Sequence, residues 1–397
     1  MDVGAQVTAR IHRPDPPATG AWREGDPVGE RRFADVGDLP LQLGGTLPQV
    51  RLAFQTWGTL APDGGNAVLV EHALTGDAHV TGAAGEGHPT PGWWGTLVGP
   101  GRALDTDRWF VVAANVLGGC QGSTGPAARR PGSSRPWGSA FPRLTVADQV
   151  AAEARLADQL GVRRFAAVLG GSMGGMRSLE WAAAHPDRVG AALVLATCAA
   201  SSADQIGAQS AQITAVLSDP GWHGGDYHDR PDGHGPHRGL GLARRLAHLT
   251  YRTAHELDER FGRMPQVGED PWDPDAPGRF AVQSYLDHHA EKLVHRFDAG
   301  SYVALTDAMN TWDVGLARGG TDAALAAVTV PLVVAGVDSD RLYPLADSRR
   351  IAERAAATVG GLRTVRSPYG HDGFLLEVDQ IAPLVTETLR LGSLNRG

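Results

Sequence analysis

Between Phe165 and Ala184 the sequence runs from an apolar stretch through a glycine-rich turn into a segment with helical spacing, and the turn holds a serine. Gly170-Gly171-Ser172-Met173-Gly174 matches G-x-S-x-G, the pattern in which a serine nucleophile occupies a tight strand-to-helix turn and small neighbours let the chain reverse without clashing. There the Ser172 hydroxyl stands clear of the sheet edge, and the Met173 N–H, at the helix start, faces any oxyanion formed beside it. A serine nucleophile needs a base to take its proton and a carboxylate to hold that base in one tautomer. In the chain order serine, acid, histidine, Gly336 to Tyr343 offers Asp338 and Asp340, and Tyr369 to Phe374 offers His371, the last histidine of the chain. Spacing alone does not separate the two aspartates.

These loops need a sheet to hold them. Ala67 to Val70, Trp109 to Ala114, Phe165 to Leu169, Ala191 to Leu195, Val330 to Ala335 and Leu362 to Val365 read as short buried strands, and alternation from Leu39 to Thr56 predicts an antiparallel pair ahead of them. Thr145, with Asp148 three residues on, caps an amphipathic helix that Gly161 closes, and Gln380 to Leu391 supplies a last covering helix. Strands alternating with helices predict an α/β fold, a mostly parallel sheet covered on both faces. From Ser201 to Thr311 the pattern changes to long helical segments, Asp204 to Leu217, Leu240 to Thr253, Ala281 to Phe297 and Ser301 to Met309, an inserted helical lid. The expected division is a disordered leader over 1–34, rich in Pro, Gly and charge, a core over 35–200 and 312–397, and the lid over 201–311.

The 397 residues are 42% apolar and 20% charged, with a formal net charge of −8, a globular balance with no basic stripe for nucleic acid. No run approaches the length of a membrane span, and the N-terminus has no apolar signal region. Two cysteines, Cys120 and Cys198, are too few for a disulfide framework and fit a reducing, cytoplasmic setting. The histidines at 223, 228, 234 and 237 lie in a Gly/Asp/Pro-rich loop without metal-ligand spacing, and those at 288, 289 and 295 do not form a chelate on their helix. Gly118 to Gly125 is glycine-rich but lacks the Gly-Lys-Ser/Thr ending of a phosphate-binding loop.

With these residues in hand, the chain resembles the homoserine O-acetyltransferases of the α/β-hydrolase superfamily from about Leu41 to Leu391. The resemblance rests on His72-Ala-Leu-Thr-Gly-Asp77, His88-Pro-Thr-Pro-Gly-Trp-Trp94, Asn115-Val-Leu-Gly-Gly-Cys120, Gly170-Gly-Ser-Met-Gly-Gly175, Ser339-Asp-Arg-Leu-Tyr343 and Gly370-His-Asp-Gly-Phe374. It implies an α/β-hydrolase fold with an inserted helical lid, a triad of Ser172, Asp340 and His371, and oxyanion donors at the backbone N–H groups of Leu74 and Met173. Arg244 and Tyr251 match the lid positions that contact the amino-acid substrate, and Asp372, beside the base, supplies an anion for its ammonium. Two departures are visible: Leu246-Ala247 stands where the family has Ile-Gly, and Gly95 where it often has Asp. The resemblance further implies acetyl-CoA as co-substrate with no bound cofactor or metal, L-homoserine as acceptor, a place in methionine biosynthesis, and a homodimer joined through the lid helices. A succinyl donor, a serine acceptor and plain ester or thioester hydrolysis remain open on the same machinery, and a non-catalytic binding protein would have no use for the complete triad.

Overall fold

The computed structural model describes residues 15–395. In chain order the elements are β1 (Arg32–Pro40), β2 (Thr46–Trp57), β3 (Ala67–Glu71), β4 (Phe110–Ala114), α1 (Val146–Gln159), β5 (Ala167–Gly171), α2 (Met173–Ala184), β6 (Ala192–Leu195), α3 (Ala203–Leu217), α4 (His237–Tyr251), α5 (Ala254–Phe261), α6 (Ala281–Val294), α7 (Ala299–Asn310), α8 (Thr321–Ala326), β7 (Leu332–Val337), α9 (Leu345–Arg354), β8 (Thr358–Val365), α10 (Gly373–Leu376) and α11 (Val378–Leu394). The strands form one sheet in the order β1-β2-β4-β3-β5-β6-β7-β8. β1 and β2 pair antiparallel, β2 meets β4 antiparallel, and every later pairing is parallel.

Burial follows from that topology. Every residue of β3, β4, β5, β6 and β7 is buried, because helices cover both faces of a sheet built by crossovers. Alternate residues feed two cores: Ala67, Leu69 and Val168 pack with α1 and α2, whereas Val68, Val70 and Leu169 pack against Ile381, Leu384, Val385 and Leu389 of α11. α1 starts where the capping residues place it: the Thr145 hydroxyl accepts from the Asp148 N–H at 3.3 Å and the Asp148 carboxylate accepts from the Thr145 N–H at 2.8 Å. A second capping box, Ser202 with Gln205, opens the helical insertion that runs from α3 to α7 between β6 and β7.

Two expectations are corrected. The first hairpin strand begins at Arg32 rather than Leu39, and Leu41 and Leu43 fall in the turn. Register shifts on either side of Gly37 break the alternation that would have marked the strand in sequence. The expected leader is packed around Ala18 to Trp22, while residues 24–30 are exposed; the part over 1–14 lies outside the described residues. The Thr19 hydroxyl donates to Asp298 at 2.7 Å, the Gly20 N–H to the Phe297 carbonyl at 3.2 Å and the Trp22 N–H to the Cys120 carbonyl at 2.9 Å, while Ala18 and Ala21 are buried. A Cβ on Gly20 would stand 2.5 Å from the backbone nitrogens of Arg296 and Phe297, so this strap requires a glycine there. It lacks periodicity because an extended strap satisfies its backbone on neighbouring loops and buries only small side chains.

Candidate active site

β5 runs straight into the turn at Ser172, whose backbone is held at φ 59, ψ −125, a region a residue with a Cβ seldom adopts. Two close approaches need glycine: a Cβ on Gly170 would meet the Gly174 carbonyl oxygen at 2.2 Å, and one on Gly174 would meet the Glu71 carbonyl oxygen at the same distance. With the turn that tight, the Ser172 N–H still finds the Leu195 carbonyl at 3.0 Å, and the serine side chain is aimed at the loop after β8.

There His371 Nε2 lies 2.9 Å from Ser172 Oγ, and His371 Nδ1 lies 2.6 Å from Asp340 Oδ2. The other Asp340 oxygen accepts from the Leu342 and Tyr343 N–H groups at 2.8 and 2.9 Å, which fixes the carboxylate. Asp338 does not join this line; its carboxylate accepts from the Ser367 N–H at 3.1 Å and serves to hold the loop. All three aligned residues are buried. Burial alone would lower the His371 pKa, but the charge and hydrogen bond of Asp340, with Asp372 adding, outweigh it and raise the value above that of an ordinary histidine. With Nδ1–H committed to Asp340, Nε2 is left to accept the Ser172 proton.

The oxyanion candidates follow paired strands. β3 and β5 pair in parallel with Glu71 opposite Gly170, so the segments that carry Leu74 and Met173 leave the sheet from the same ends of neighbouring strands. Among the described residues, no acceptor takes the N–H of Leu74 or of Met173. His72 Nε2 accepts from the Val116 N–H at 3.0 Å, so its proton sits on Nδ1, donated to the Ala73 carbonyl at 2.8 Å; burial, then the nearby Arg177, push its pKa down to about 3 and keep it neutral.

The lid closes over the base. Tyr251, at the end of α4, has its ring 5.7 Å from His371, and a Cβ on Gly370 (φ 64) would meet the Tyr251 carbonyl oxygen at 2.4 Å. The Arg244 guanidinium lies 5.7 Å over the Tyr251 ring and reaches Thr75 Oγ1 at 3.4 Å; among the described residues no carboxylate pairs with it. Asp372, expected as the anion for the substrate ammonium, has Oδ2 paired with Arg252 at 3.1 Å, and Arg252 also holds Glu256 at 2.6 Å. Arg252 was not anticipated; its only mark in the sequence is its place next to Tyr251. Arg296 was missed as well, and it donates to the Thr75 carbonyl at 2.9 Å, tying the helical insertion to the loop after β3.

A buried charge cluster behind the turn also escaped the sequence reading. Arg177 on α2, fully buried, donates to Glu153 of α1 at 2.5 Å, and the Ser178 hydroxyl donates to Glu71 at 3.3 Å. Charged residues inside otherwise apolar runs, Glu71 after Ala67 to Val70 and Arg177 between Met176 and Leu179, were the available signal. Burial and then the neighbouring Glu153 raise the Glu71 pKa well above that of an ordinary carboxyl, against the opposing pull of Arg177 and Ser178. The folded form then holds a proton that the unfolded chain releases, so stability falls as pH rises from the ordinary carboxyl value toward the folded one. Glu71→Gln keeps the shape and cannot ionise. Calorimetry should find its melting temperature above that of the wild-type protein at about pH 8 and the gap closed at about pH 4; an equal gap at both would mean that Glu71 is charged in both states.

Comparisons with known proteins identify the fold and the family. The alpha/beta hydrolase fold family matches residues 66–378. A homoserine O-acetyltransferase from Thermobifida fusca is 61% identical over 377 residues, covering 95% of this chain and 98% of the relative. Among solved structures, esterase E22 superposes with a TM-score of 0.82 at 24% identity, over 91% of this chain and 99% of that one. A homoserine O-acetyltransferase from Bacillus anthracis superposes with a TM-score of 0.80 at 22% identity, over 90% of this chain and 97% of that one. The two structural matches establish only the fold, whereas the sequence match over nearly the whole length goes further: the chain belongs to the homoserine O-acetyltransferase family of the α/β-hydrolase fold.

Proposed function

We propose that this protein moves the acetyl group of acetyl-CoA to the γ-hydroxyl of L-homoserine by two displacements on Ser172. The observation that carries the reading is the line Ser172 Oγ, His371 Nε2, His371 Nδ1, Asp340 Oδ2, at 2.9 and 2.6 Å, beneath a lid that brings to the loop after β3 an arginine with no carboxylate partner among the described residues. In the first displacement His371 takes the Ser172 proton as Oγ attacks the thioester carbonyl, and the oxyanion is held by the N–H groups of Leu74, on the loop after β3, and of Met173, at the start of α2. As the carbon–sulfur bond breaks, His371 returns the proton to the CoA thiolate. In the second, His371 takes the homoserine hydroxyl proton, the hydroxyl oxygen attacks the acyl-serine ester, and Ser172 leaves with the proton, giving O-acetyl-L-homoserine. Arg244 faces the acceptor carboxylate, and the Asp372 oxygen not held by Arg252, with the Tyr251 ring, receives its ammonium. No bound cofactor is called for, and acetyl-CoA enters as co-substrate. The same reading carries a cytoplasmic homodimer joined through the lid, where Leu242, Leu249 and Met264 are exposed.

The direct test is mass spectrometry of the protein after acetyl-CoA alone: one acetyl group on the peptide bearing Ser172, absent in Ser172→Ala, which should fold normally because a lost hydroxyl opens no core cavity. An acetyl group elsewhere, or turnover by the alanine variant, would remove Ser172 as the nucleophile. Release of acetate in place of transfer when homoserine is present would make the protein a thioesterase.

Asp340→Asn should slow Ser172 acylation by roughly a thousandfold or more, because the amide favours the wrong imidazole tautomer, whereas Asp338→Asn should cost less than about tenfold. The base works only when neutral, so the wild-type acylation rate should fall with decreasing pH through a midpoint above about 6.5, the ordinary histidine value, and the midpoint should move down in Asp340→Asn. The opposite ranking of the two asparagine variants would reassign the acid.

Arg244→Ala should leave acetylation of Ser172 nearly unchanged and slow transfer to homoserine by at least about thirtyfold, the ~2 kcal/mol expected for a charge-assisted contact in a water-poor pocket. Rapid quench separates the two steps; equal slowing of both would show that Arg244 supports the fold or the CoA instead.

A further inference from the structure

The spacing of two backbone donors cannot be set by hydrogen bonds between them, since each N–H must be left open for the oxyanion. Leu74 sits on the loop after β3 and Met173 on the first turn of α2, both beyond Glu71 and Gly170, the last paired residues of the two strands. One side chain spans them. Arg177 is on α2, one turn beyond Met173, and its Nη2 donates to the His72 carbonyl at 2.6 Å, two residues before Leu74. Its Nη1 donates to Glu153 at 2.5 Å, and the second Glu153 oxygen accepts from the Trp181 indole at 3.0 Å, so the carboxylate is fixed from α2 at two points. Arg177 and Ser178 have no exposed surface, and Glu71 and Glu153 almost none. The close approach of Gly174 to the Glu71 carbonyl holds the same two segments together from the backbone side.

We infer that Arg177, anchored by Glu153, is a positioning residue that fixes the distance and angle between the Leu74 and Met173 N–H groups by clamping the His72 carbonyl to α2. A guanidinium suits the task because its rigid fork can hold a carboxylate with one nitrogen and a carbonyl with another in one plane, which an ammonium cannot. A purely structural ion pair at this place would need only Glu153 to compensate its charge and would leave the carbonyl to another donor; here the carbonyl that is clamped belongs to the oxyanion loop itself. The inference rests on the oxyanion reading above, and its test is arranged so that the two can fail separately.

The test compares Ser172 acylation by acetyl-CoA with acylation by the CoA dithioester in which sulfur replaces the acetyl carbonyl oxygen. Sulfur is larger and a weaker acceptor, so a working oxyanion hole favours the oxygen substrate, and wild-type protein should do so by at least about tenfold. Arg177→Lys keeps the charge beside Glu153 but loses the fork. It should lower the acetyl-CoA acylation rate by roughly 10- to 100-fold with KM within about twofold, and should narrow the oxygen-to-sulfur preference, because misplaced donors fail only in the transition state. The paired variant Arg177→Met with Glu153→Gln removes both charges together, avoids a stranded buried carboxylate and should show the same pattern. Circular dichroism and a cooperative melt establish that each variant is folded. Folded variants that keep the wild-type rate and preference, or that slow both substrates equally, would overturn the positioning role. A wild-type protein with no preference for oxygen would instead remove the oxyanion assignment, and the inference with it.

Discussion

The backbone at Ser172 is held at φ 59, ψ −125, and the rest of the site is arranged around keeping it there. A residue with a Cβ in that region costs on the order of 1 to 3 kcal/mol, so the surroundings must over-determine the turn. They do so on three sides. β5 is locked between β3 and β6 by parallel ladders, α2 begins at once and commits its first turn, and the glycines at 170 and 174 let strand, helix and the Glu71 carbonyl approach to distances that no Cβ would allow. Because the turn is fixed, the serine oxygen has one place to be, and the loop after β8 needs only to deliver an imidazole to it.

That delivery is an electrostatic problem solved by backbone. A buried histidine tends to lose its affinity for a proton, yet a base that must carry one transiently needs that cost offset. Asp340 offsets it, and two N–H groups of its own loop hold Asp340 against rotation. The neighbouring Asp338 accepts from the Ser367 N–H, which joins the two loops that bring Asp340 and His371 together. Two aspartates two residues apart therefore do different work, one facing the imidazole and one facing the backbone.

The helical insertion does not float over this centre. Arg252 reaches Asp372, Arg296 reaches the Thr75 carbonyl, the Thr253 hydroxyl donates to the Pro368 carbonyl at 2.8 Å, and the Gly370 turn passes directly under the Tyr251 carbonyl. Asp298, fully buried at the start of α7, accepts from both Thr19 and Tyr227 and so pins the N-terminal strap to the insertion. These ties place Arg244 and Tyr251, which the lid supplies, against His371 and Thr75, which the core supplies. The site is shared between the two, and neither half contains it.

The sequence alone determined the class of fold and marked the serine turn at Ser172, because both signals are local in kind. G-x-S-x-G between an apolar run and a helical segment marks the turn through short-range sterics, and solid apolar runs mark strands buried on both faces. It left Asp338 and Asp340 unresolved, since spacing reports which loop an aspartate is on but not which way its side chain turns; the resemblance chose Asp340, and the hydrogen bonds to His371, Leu342 and Tyr343 give the physical reason. It misread residues 15–31 as a leader because an extended strap bonded to distant loops has no period to detect. It passed over Glu71, Glu153, Arg177, Arg252 and Arg296, each of which matters through a partner far away in the chain. Which buried charges meet is decided only when the tertiary structure brings β3, α1, α2 and the lid together, since the pairing that makes a buried charge tolerable is a long-range contact and leaves no spacing in the sequence.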